Sequence, residues 1–393
     1  MSSDPIVILS ARRTPVGAFQ GVFATVTAPQ LGSVAIKAAL ADSGLAATDI
    51  DEVIMGCVLS AGLGQAPARQ ASLSAGIPTG VPTTTINKMC GSAMRAVMLA
   101  SDQIRAGSAE VVVAGGLESM TNAPYLLPKA RAGYRLGHQE VLDHMFFDGL
   151  QSPWDGQLMG RFAEVTADKY EFTRRAQDDF ATESVRRATA AIDSGAFRAE
   201  VAPVTANTRK GETRVDTDET PGTLDVAKIP ALKPAFKKDG TVTAASSASI
   251  SDGAAAVLLA RESYATAKGL KPLARILDYT SFALEPQWFT VAPVGAIRKL
   301  LARLKWQASD VDLYEVNEAF AVVAMAAIED LGLDHAKVNA NGGACALGHP
   351  IGATGARILT TLIYALRSRG KKRGIAGLCI GGGEATAIAI ELY

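Results

Sequence analysis

The sequence has 393 residues, enough for two or three domains with large buried cores, which excludes a peptide or a small disulfide-stapled module. Hydrophobic residues make up 48% and charged residues 20% of the chain, which is typical of a globular α/β protein and not of a disordered or fibrous one. The 39 Lys and Arg residues balance the 39 Asp and Glu residues, so neither nucleic acid nor an anionic membrane surface is expected as a partner.

The predicted elements alternate between strands and helices. A strand is expected over residues 6–10, and a helix over 93–106, where apolar residues recur every three or four positions. A β-branched run that begins after Glu110 and is ended by glycines predicts a buried strand. A later helix over 173–194 has Thr173 as its expected N-cap. This order indicates a layered α/β domain.

A weak internal repeat suggests that the α/β unit is duplicated. Similar segments recur at an offset of 261 or 262 residues, pairing Leu45 with Trp306 and Arg95 with Arg357. After a short insertion, the glycines at Gly115 also match those at Gly381. Two copies of one unit are the economical explanation, and coincidence between similar helix–strand units is the alternative. Residues 121–250 interrupt the repeat and are richer in charge and loops, which indicates an inserted third unit.

The sequence gives no sign of export, membrane insertion or metal binding. The amino end has no basic stretch followed by an apolar core, and no apolar run approaches the ~18 residues of a membrane-spanning helix. The 4 cysteines form no Cys-x-x-Cys pair, and the 4 histidines form no His-x-x-x-His arrangement. We therefore predict a cytoplasmic protein with free thiols and no metal site.

Cys90 is the first candidate for chemistry, in the motif Asn87-Lys-Met-Cys-Gly-Ser directly before a predicted helix. The dipole and free N–H groups at the start of a helix stabilise a thiolate. The following glycine would permit a tight turn that exposes the sulfur. A nucleophile and a buried, inert cysteine are the two readings of this residue.

Three further residues stand where polar chemistry is possible. His349 lies among 5 glycines within 14 residues, as a base for a distant thiol or as a structural histidine. Cys379 ends a predicted strand before a glycine run whose N–H groups could bind an oxyanion. Asn317 follows a short strand, where it could hold a water molecule or cap a helix.

These motifs together resemble those of the thiolase family, in the family's order and over essentially the whole chain. They are Asn-Lys-Met-Cys90-Gly-Ser, Gly115-Gly-Leu-Glu-Ser-Met, Val-Asn317-Glu-Ala-Phe, Gly348-His349-Pro-Ile-Gly-Ala-Thr-Gly and Cys379-Ile-Gly-Gly-Gly. The resemblance implies an α/β fold of two similarly folded five-stranded halves in α/β/α layers, with an inserted loop domain that helps to hold coenzyme A. It places the N-terminal half at residues 1–120, completed by about 251–270, the loop domain at 121–250 and the C-terminal half at 271–393.

The resemblance also implies the reaction, a reversible Claisen condensation of acetyl-CoA with an acyl-CoA or the thiolytic cleavage of a 3-ketoacyl-CoA. Cys90 would be acylated after activation by His349, and Cys379 would then take a proton from the α-carbon of acetyl-CoA. His349 and a water held by Asn317 would stabilise the enolate, and the N–H groups of Cys90 and Gly381 would face the acyl oxyanion. This is a ping-pong acyltransferase with coenzyme A thioesters as substrates, no bound cofactor, and a homo-oligomer, a dimer of dimers, as the expected assembly.

Contacts to coenzyme A are carried over from the family onto Leu150, Met159, Phe236, Ala244, Ala248, Phe289, Ala319 and Phe320. Three positions depart from the short-chain biosynthetic members of the family. Leu158 stands where those members have His, Phe289 where they tend to have Met, and Ala248 lies in Ala245-Ser-Ser-Ala-Ser where they have Gly-Asn-Ala-Ser-Gly. These departures leave the acyl chain length open. Cys345 is not a catalytic position in the family and is expected to serve packing.

Three other functions fit the sequence less well. A decarboxylating ketoacyl synthase of the same superfamily uses a second histidine where this chain has Asn317, and no cysteine at the position of Cys379. A non-catalytic lipid-binding or scaffold protein does not require the four reactive residues that this chain retains. A Rossmann dehydrogenase is disfavoured because Gly62-Leu-Gly64 lacks the third glycine and the strand before it.

Overall fold

The computed structural model describes residues 4–208 and 211–393. Many of its longer strands are rich in apolar residues buried on both faces, as expected for strands covered by helices. The strands are β1 Ile6–Arg13, β2 Gly17–Ala18, β3 Glu52–Gly56, β4 Thr83–Ile86, β5 Val111–Ser119, β6 Tyr125–Leu126, β7 Leu142–Asp143, β8 Val204–Thr208, β9 Gly211–Val215, β10 Ser251–Arg261, β11 Ala274–Ala283, β12 Leu313–Val316, β13 Arg373–Ile380 and β14 Glu384–Leu392.

The helices connect these strands or belong to the inserted segment. They are α1 Ala28–Ser43, α2 Pro67–Ser74, α3 Ser92–Ala106, α4 Met159–Lys169, α5 Arg174–Asp193, α6 Glu262–Ala267, α7 Ala292–Leu304, α8 Ala321–Leu331, α9 Ala344–Leu347 and α10 Thr354–Ser368. The predicted helices over 93–106 and 173–194 are thus present as α3 and α5, and Thr173 caps α5 by accepting a hydrogen bond from the Ala176 N–H. Within the described ranges, no helix combines the length and apolar character that crossing a bilayer needs.

Ten strands of the described ranges form one mixed sheet in the order β12-β13-β14-β11-β1-β10-β5-β3-β4, with β2 paired to β10. In each half the strands that carry a helical crossover are parallel, as β3 is to β4 and β5, and β12 to β13. The halves meet where β1 and β11 run antiparallel over three residue pairs, from Ile6–Ile276 to Ile8–Ala274. The strand β10, distant in sequence, lies between β1 and β5 in the N-terminal half.

Alternate residues of the strands face two different helix layers. In β5, Val112 and Ala114 pack in a cluster with α3 and α10, whereas Val111 and Val113 pack with α1 and α2 on the other face. The strands of the C-terminal half divide in the same way, because their outer faces pack with α7 and α8. Helices α3 and α10 therefore form a central layer between the two halves, which explains why α10 is buried on nearly all sides.

The predicted duplication is present in the structure. Helices α3 and α10 each have 15 residues and are offset by 262, from Ser92 to Thr354. The strand register corrects one predicted correspondence, however. Met55 and Val316 are equivalent at the 261-residue offset of the repeat. Met55 in β3 pairs with Gly115, and Val316 in β12 pairs with Gly377, so the counterpart of Gly115 is Gly377 and not Gly381. The predicted strand after Glu110 also continues through its glycines, because Gly115 allows close approach of the β10 backbone at Ala255.

The C-terminal half differs from the five expected strands in one respect. Its fifth position is reduced to an isolated parallel bridge between Tyr314 and Val338. The next residue, Asn339, has a positive φ of 50°. Its side chain, and not the backbone of a fifth strand, forms the next hydrogen bonds to β12. Its Oδ1 accepts from the Val316 N–H at 2.8 Å and its Nδ2 donates to the Val316 carbonyl at 2.8 Å, so a side chain replaces the next rung of the ladder.

Candidate active site

A cavity of about 370 Å³ opens where the two halves and the inserted segment meet. Cys90, His349 and Gly381 line it, together with every residue expected to contact coenzyme A: Leu150, Met159, Phe236, Ala244, Ala248, Phe289, Ala319 and Phe320. Asn317 and Cys379 are fully buried and are not among the lining residues. The structure thus brings residues from widely separated parts of the chain to one site.

Cys90 lies two residues before α3, at the end of a turn held by local hydrogen bonds. The Ser92 hydroxyl donates to the Met89 carbonyl at 2.6 Å and accepts from the Lys88 N–H at 2.8 Å. The residue of this turn with a left-handed backbone conformation is Met89, with φ 47°, and not Gly91, the glycine after Cys90 that the sequence suggested. Gly91 is required for a different reason, since a Cβ there would overlap the side chain of Ile380.

The thiol of Cys90 is not the low-pKa thiolate expected from its place before a helix. Burial raises the pKa of Cys90 to about 11, although the N–H groups of Gly381 and of Cys90 itself favour the thiolate and oppose that rise. Burial also raises the pKa of Cys379 well above its ordinary value, and the neighbouring Cys90 adds to this effect. Both residues are therefore neutral thiols at pH 7, and a base is needed to activate either one.

His349 has a ring nitrogen, Nε2, whose lone pair is free to take a proton. Its Nδ1 lies 2.6 Å from Thr354 Oγ1, whose own hydroxyl donates to the Pro350 carbonyl at 2.9 Å. Because that hydroxyl proton is already used, Nδ1 carries the imidazole proton and Nε2 keeps its lone pair. Burial, and then the charge of Arg357, lower the pKa of His349 to about 3, so the ring is neutral at pH 7. No residue in the described ranges bonds to Nε2, whereas a structural histidine would have this atom paired.

Asn317 follows β12 directly, and its own N–H donates to the Gly377 carbonyl at 3.0 Å. Its side chain is 1% exposed, and neither its Oδ1 nor its Nδ2 has a hydrogen-bond partner in the part of the chain that is described. The helix-capping alternative is wrong, because α8 begins at Ala321 with Phe320 in the N-cap position. A buried amide left unpaired is costly, so this side chain fits a site that a water or a substrate oxygen completes.

Two backbone N–H groups converge near the Cys90 sulfur, one from Cys90 and one from Gly381. The glycines after Gly381 make this turn possible, because Gly382 and Gly383 have φ of 96° and 91°. Two converging N–H groups are the arrangement that stabilises a developing oxyanion.

The wall of the cavity is aromatic and apolar. Phe289 meets Phe162 and Phe320 edge-on, with ring centroids 6.3 and 6.4 Å apart. Phe236 meets Phe320 at 5.9 Å in the same manner. Leu158, directly before α4, presents an alkyl group in the cavity where a histidine was the family expectation. A wall of this kind suits the pantetheine and acyl portions of a thioester better than a charged group.

Several residues near the site were not singled out from the sequence. The cavity lining also includes Met120, Phe146, Gly149, Ser247, Ser249, Ile250 and Ile351. Lys88 forms an ion pair with Glu384, which ties the Cys90 turn to the start of β14. Met120 and Ile351 lie within the quoted motifs, and that position is the signal that could have identified them. Residues 4–208 and 211–393 contain no group of three or more His, Cys, Asp and Glu side chains placed to hold a metal ion.

Cys345 packs as expected, buried behind the site. Its N–H donates to Glu318 Oε2 at 3.1 Å, and the same carboxylate accepts from Ser184 at 2.7 Å and Asn339 at 2.8 Å. Burial raises the pKa of Cys345 well above its ordinary value, with the Glu318 charge adding to the rise. This cysteine is therefore an inert thiol.

Comparison with known proteins gives consistent matches over the whole chain. Residues 6–263 match the family model "Thiolase, N-terminal domain" and residues 270–392 match "Thiolase, C-terminal domain". The chain is 50% identical over 388 residues to an acetyl-CoA acetyltransferase of Pseudomonas aeruginosa (98% of each chain), and 50% identical over 387 residues to one of Escherichia coli (98% of each).

Two solved structures are similar to this chain. One is the Acat5 thiolase of Ascaris suum in complex with coenzyme A, with a TM-score of 0.94, 43% identity, and coverage of 99% of this chain and 100% of that one. The other is the acetyl-CoA acetyltransferase of Bacillus anthracis, with a TM-score of 0.97, 42% identity, and coverage of 100% and 99%.

Proposed function

The chain belongs to the thiolase family and is an acyltransferase, and we propose that Cys90, His349, Cys379, Asn317 and Gly381 carry its reaction. We further propose acetyl-CoA as the acyl donor and a short 3-ketoacyl-CoA as the product, because acetyl-CoA acetyltransferases are about half identical to it over their full length. The observation that carries the proposed roles is the cavity in which the Cys90 thiol, the His349 imidazole and the Gly381 N–H meet.

The first half-reaction is acyl transfer to Cys90. His349 Nε2 takes the thiol proton, and the sulfur attacks the thioester carbonyl of the acyl-CoA. The N–H groups of Cys90 and Gly381 donate hydrogen bonds to the carbonyl oxygen as negative charge develops on it. The carbonyl reforms, the C–S bond to coenzyme A breaks, and the leaving thiolate takes the proton back from His349. A hydrogen bond to Thr354 keeps Nδ1 protonated throughout, so Nε2 is the atom that exchanges protons.

The second half-reaction is carbon–carbon bond formation. Cys379 passes its thiol proton to His349 Nε2 and, as a thiolate, removes a proton from the α-carbon of a second acetyl-CoA. The enolate attacks the carbonyl of acyl-Cys90, the C–S bond to Cys90 breaks, and the leaving Cys90 thiolate takes the proton from His349. The unpaired Asn317 side chain holds a water that stabilises the enolate oxygen together with His349. Cys379 lies beside Cys90 and is shielded from solvent, so a proton moves between substrate and sulfur without loss to water.

The remaining parts of the proposal concern the assembly and the compartment. Coenzyme A thioesters are substrates, and no resident cofactor is needed for these steps. We expect a homo-oligomer, a dimer of dimers, because the inserted segment exposes large apolar side chains such as Tyr125 and Leu136, 68% and 92% exposed. The cytoplasm suits the chemistry, because two neighbouring cysteines that act as thiols need a reducing compartment. The division into halves at 1–120 with 251–270, and 271–393, with a loop domain at 121–250, is part of the same proposal.

The test uses acetyl-CoA alone. Mass spectrometry of the incubated protein is expected to find one acetyl group per chain, on Cys90, with release of one equivalent of coenzyme A. The control is Cys345→Ala, which removes a buried cysteine outside the cavity and is expected to be labelled like the parent. Acetylation at Cys379, or turnover of acetoacetyl-CoA by protein that never carries a label, would falsify the assigned roles.

A further inference from the structure

Glu118, near the end of β5, is a buried carboxylate that the proposed mechanism does not use. It is 0% exposed and does not line the cavity. Its Oε2 accepts from the N–H groups of Gly352 at 2.8 Å and Val58 at 3.0 Å. Its Oε1 accepts from the Leu59 N–H at 3.1 Å and from the Cys57 thiol at 3.7 Å. Four donors therefore converge on one side chain.

These donors belong to different halves of the molecule. Cys57, Val58 and Leu59 form the loop after β3 in the N-terminal half. Gly352 lies in the C-terminal half, three residues after His349 and two before α10. The fit is close, because a Cβ on Gly352 would lie 2.5 Å from Glu118 Oε2. A single carboxylate thus joins the turn that carries His349 to a loop of the opposite half.

The duplication gives this contact a specific meaning. Gly352 stands two residues before α10, as Cys90 stands two residues before α3. The Gly352 N–H is therefore the counterpart of the Cys90 N–H, which we have proposed as a donor to the acyl oxyanion. In the C-terminal copy of the turn, the equivalent donor is hydrogen-bonded to the side chain of Glu118.

We infer that Glu118 is a positioning residue of the reaction, whose carboxylate fixes the turn of His349 against the loop after β3 and so sets the imidazole relative to Cys90. The inference rests on the proposed function of His349. Val58 and Leu59 support it, because they pack in one apolar cluster with Ile351, against which Met89 and Cys90 also pack. The carboxylate and this cluster therefore both connect the turn of His349 with the loop after β3.

The charge of Glu118 supplies a readout that a merely structural role would not move. Burial raises the pKa of Glu118 to about 7, opposed by its hydrogen bonds to backbone N–H groups. The titratable side chains that face it are Cys57, from the loop after β3, and Cys90, from the turn before α3. Its negative charge raises the pKa of Cys90, so removal of that charge lowers the pKa at which the Cys90 thiol titrates.

The experiment compares Glu118→Gln with Asp252→Asn in the full-length protein. Asp252 is an equally buried carboxylate on the adjacent strand β10, with Oδ1 bonded to Ser119 and Thr121 and with no partner for Oδ2 among the described residues. An asparagine keeps those bonds, whereas a glutamine at 118 places an NH2 group against backbone N–H donors. We expect kcat for thiolysis of acetoacetyl-CoA to fall about tenfold or more in Glu118→Gln, with KM little changed, and to stay near the parental value in Asp252→Asn.

The second readout needs no substrate. The rate of Cys90 alkylation by iodoacetamide is followed against pH, with the labelled residue identified by mass spectrometry. The apparent pKa of Cys90 is expected to fall in Glu118→Gln and to be unchanged in Asp252→Asn. If the parent fails to turn over acetoacetyl-CoA, the proposed function is wrong, and the alkylation profile still decides whether Glu118 acts on Cys90.

A second variant approaches the contact from the other half. Gly352→Ala pushes the His349 turn away from Glu118, so it is expected to lower kcat as Glu118→Gln does, and the double variant is expected to be no worse than the poorer single one. It serves as the test if Glu118→Gln does not fold. The inference is overturned by an unchanged kcat in the folded variants, by equal losses in Glu118→Gln and Asp252→Asn, by additive losses in the double variant, or by an unchanged Cys90 alkylation profile.

Discussion

Replacement of Phe289 by methionine is expected to change which acyl chains the enzyme accepts. Phe289 lines the cavity and is 3% exposed, so its ring is part of the surface that an acyl group meets. Methionine is also apolar and of similar volume, but it is flexible and unbranched. Space for one more or one fewer methylene in an apolar pocket changes the discrimination between two acyl chains by about 1 to 3 kcal/mol. That corresponds to a change of at least several-fold in the ratio of their kcat/KM values.

The same substitution has a separate cost in stability, which can be worked out from the ring contacts. Phe289 loses edge-on contacts to Phe162 and Phe320, at 6.3 and 6.4 Å between centroids. Each such pair contributes about 0.5 to 1.5 kcal/mol beyond burial, so the free energy of unfolding should fall by about 1 to 3 kcal/mol. Phe162→Met is the matched control, because Phe162 shares the ring contact but does not line the cavity.

The assay is thiolysis of acetoacetyl-CoA and of longer 3-ketoacyl-CoAs, with urea unfolding in parallel. Phe289→Met is expected to change both the activity ratio and the stability, and Phe162→Met only the stability. Leu158→His adds a polar atom to the same cavity and is expected to change the ratio less, since a hydrogen bond contributes about 1 kcal/mol. An unchanged ratio in Phe289→Met, or an equal change in Phe162→Met, would refute the reasoning and move chain-length selection to the inserted segment.

Three further predictions concern the reacting groups. Cys379→Ala should still be acetylated at Cys90 but should lose condensation and the exchange of the acetyl-CoA α-proton, whereas Cys90→Ala should lose acetylation. An equal loss of acyl transfer in both variants would show that Cys379 is structural. Thr354→Val leaves the buried His349 Nδ1–H without a hydrogen-bond partner, at a cost of about 1 to 3 kcal/mol. The burst of coenzyme A release should therefore slow about tenfold, and an unaltered burst would contradict the assignment of the imidazole proton to Nδ1. The pKa of His349 falls from its ordinary 6.5 to about 3, so the unfolded chain binds the extra proton and stability is lost as the pH falls below 6.5. Urea unfolding should record a loss of about 2 kcal/mol between pH 6.5 and 5 that is absent in His349→Gln, and parallel profiles for the two proteins would disprove this.

Much of the fold followed from patterns within the sequence. The period of apolar residues gave α3 to within one residue, and the offset between Leu45 and Trp306 anticipated two copies of one unit. The match of Gly115 to Gly381 failed because glycine pairs serve different purposes in the two places. At Gly115 the neighbouring backbone leaves no room for a Cβ, whereas the glycines after Gly381 are needed for positive φ angles.

The candidate site was predictable where a motif names a residue, and not where the environment decides its chemistry. The place of Cys90 before α3 led to the expectation of a thiolate, but burial acts more strongly on its pKa than the N–H groups of Gly381 and Cys90 do. The spacing that marks Asn317 is compatible with a cap or a water ligand, and only the start of α8 at Ala321 separates them. Glu118 lies within the motif Gly115-Gly-Leu-Glu-Ser-Met, but the motif did not indicate its partners, because its donors come from parts of the chain up to 234 residues away.

The matched central helices also bear on the ancestry of the site. A duplicated gene begins with two equivalent sites, yet at the offset of α3 and α10 the counterpart of Cys90 is Gly352, and that of His349 is Asn87. In the mechanism proposed above, one copy contributes the nucleophile and the other contributes the base. Because neither half then carries a complete site by itself, two separately expressed halves should regain turnover only when they associate.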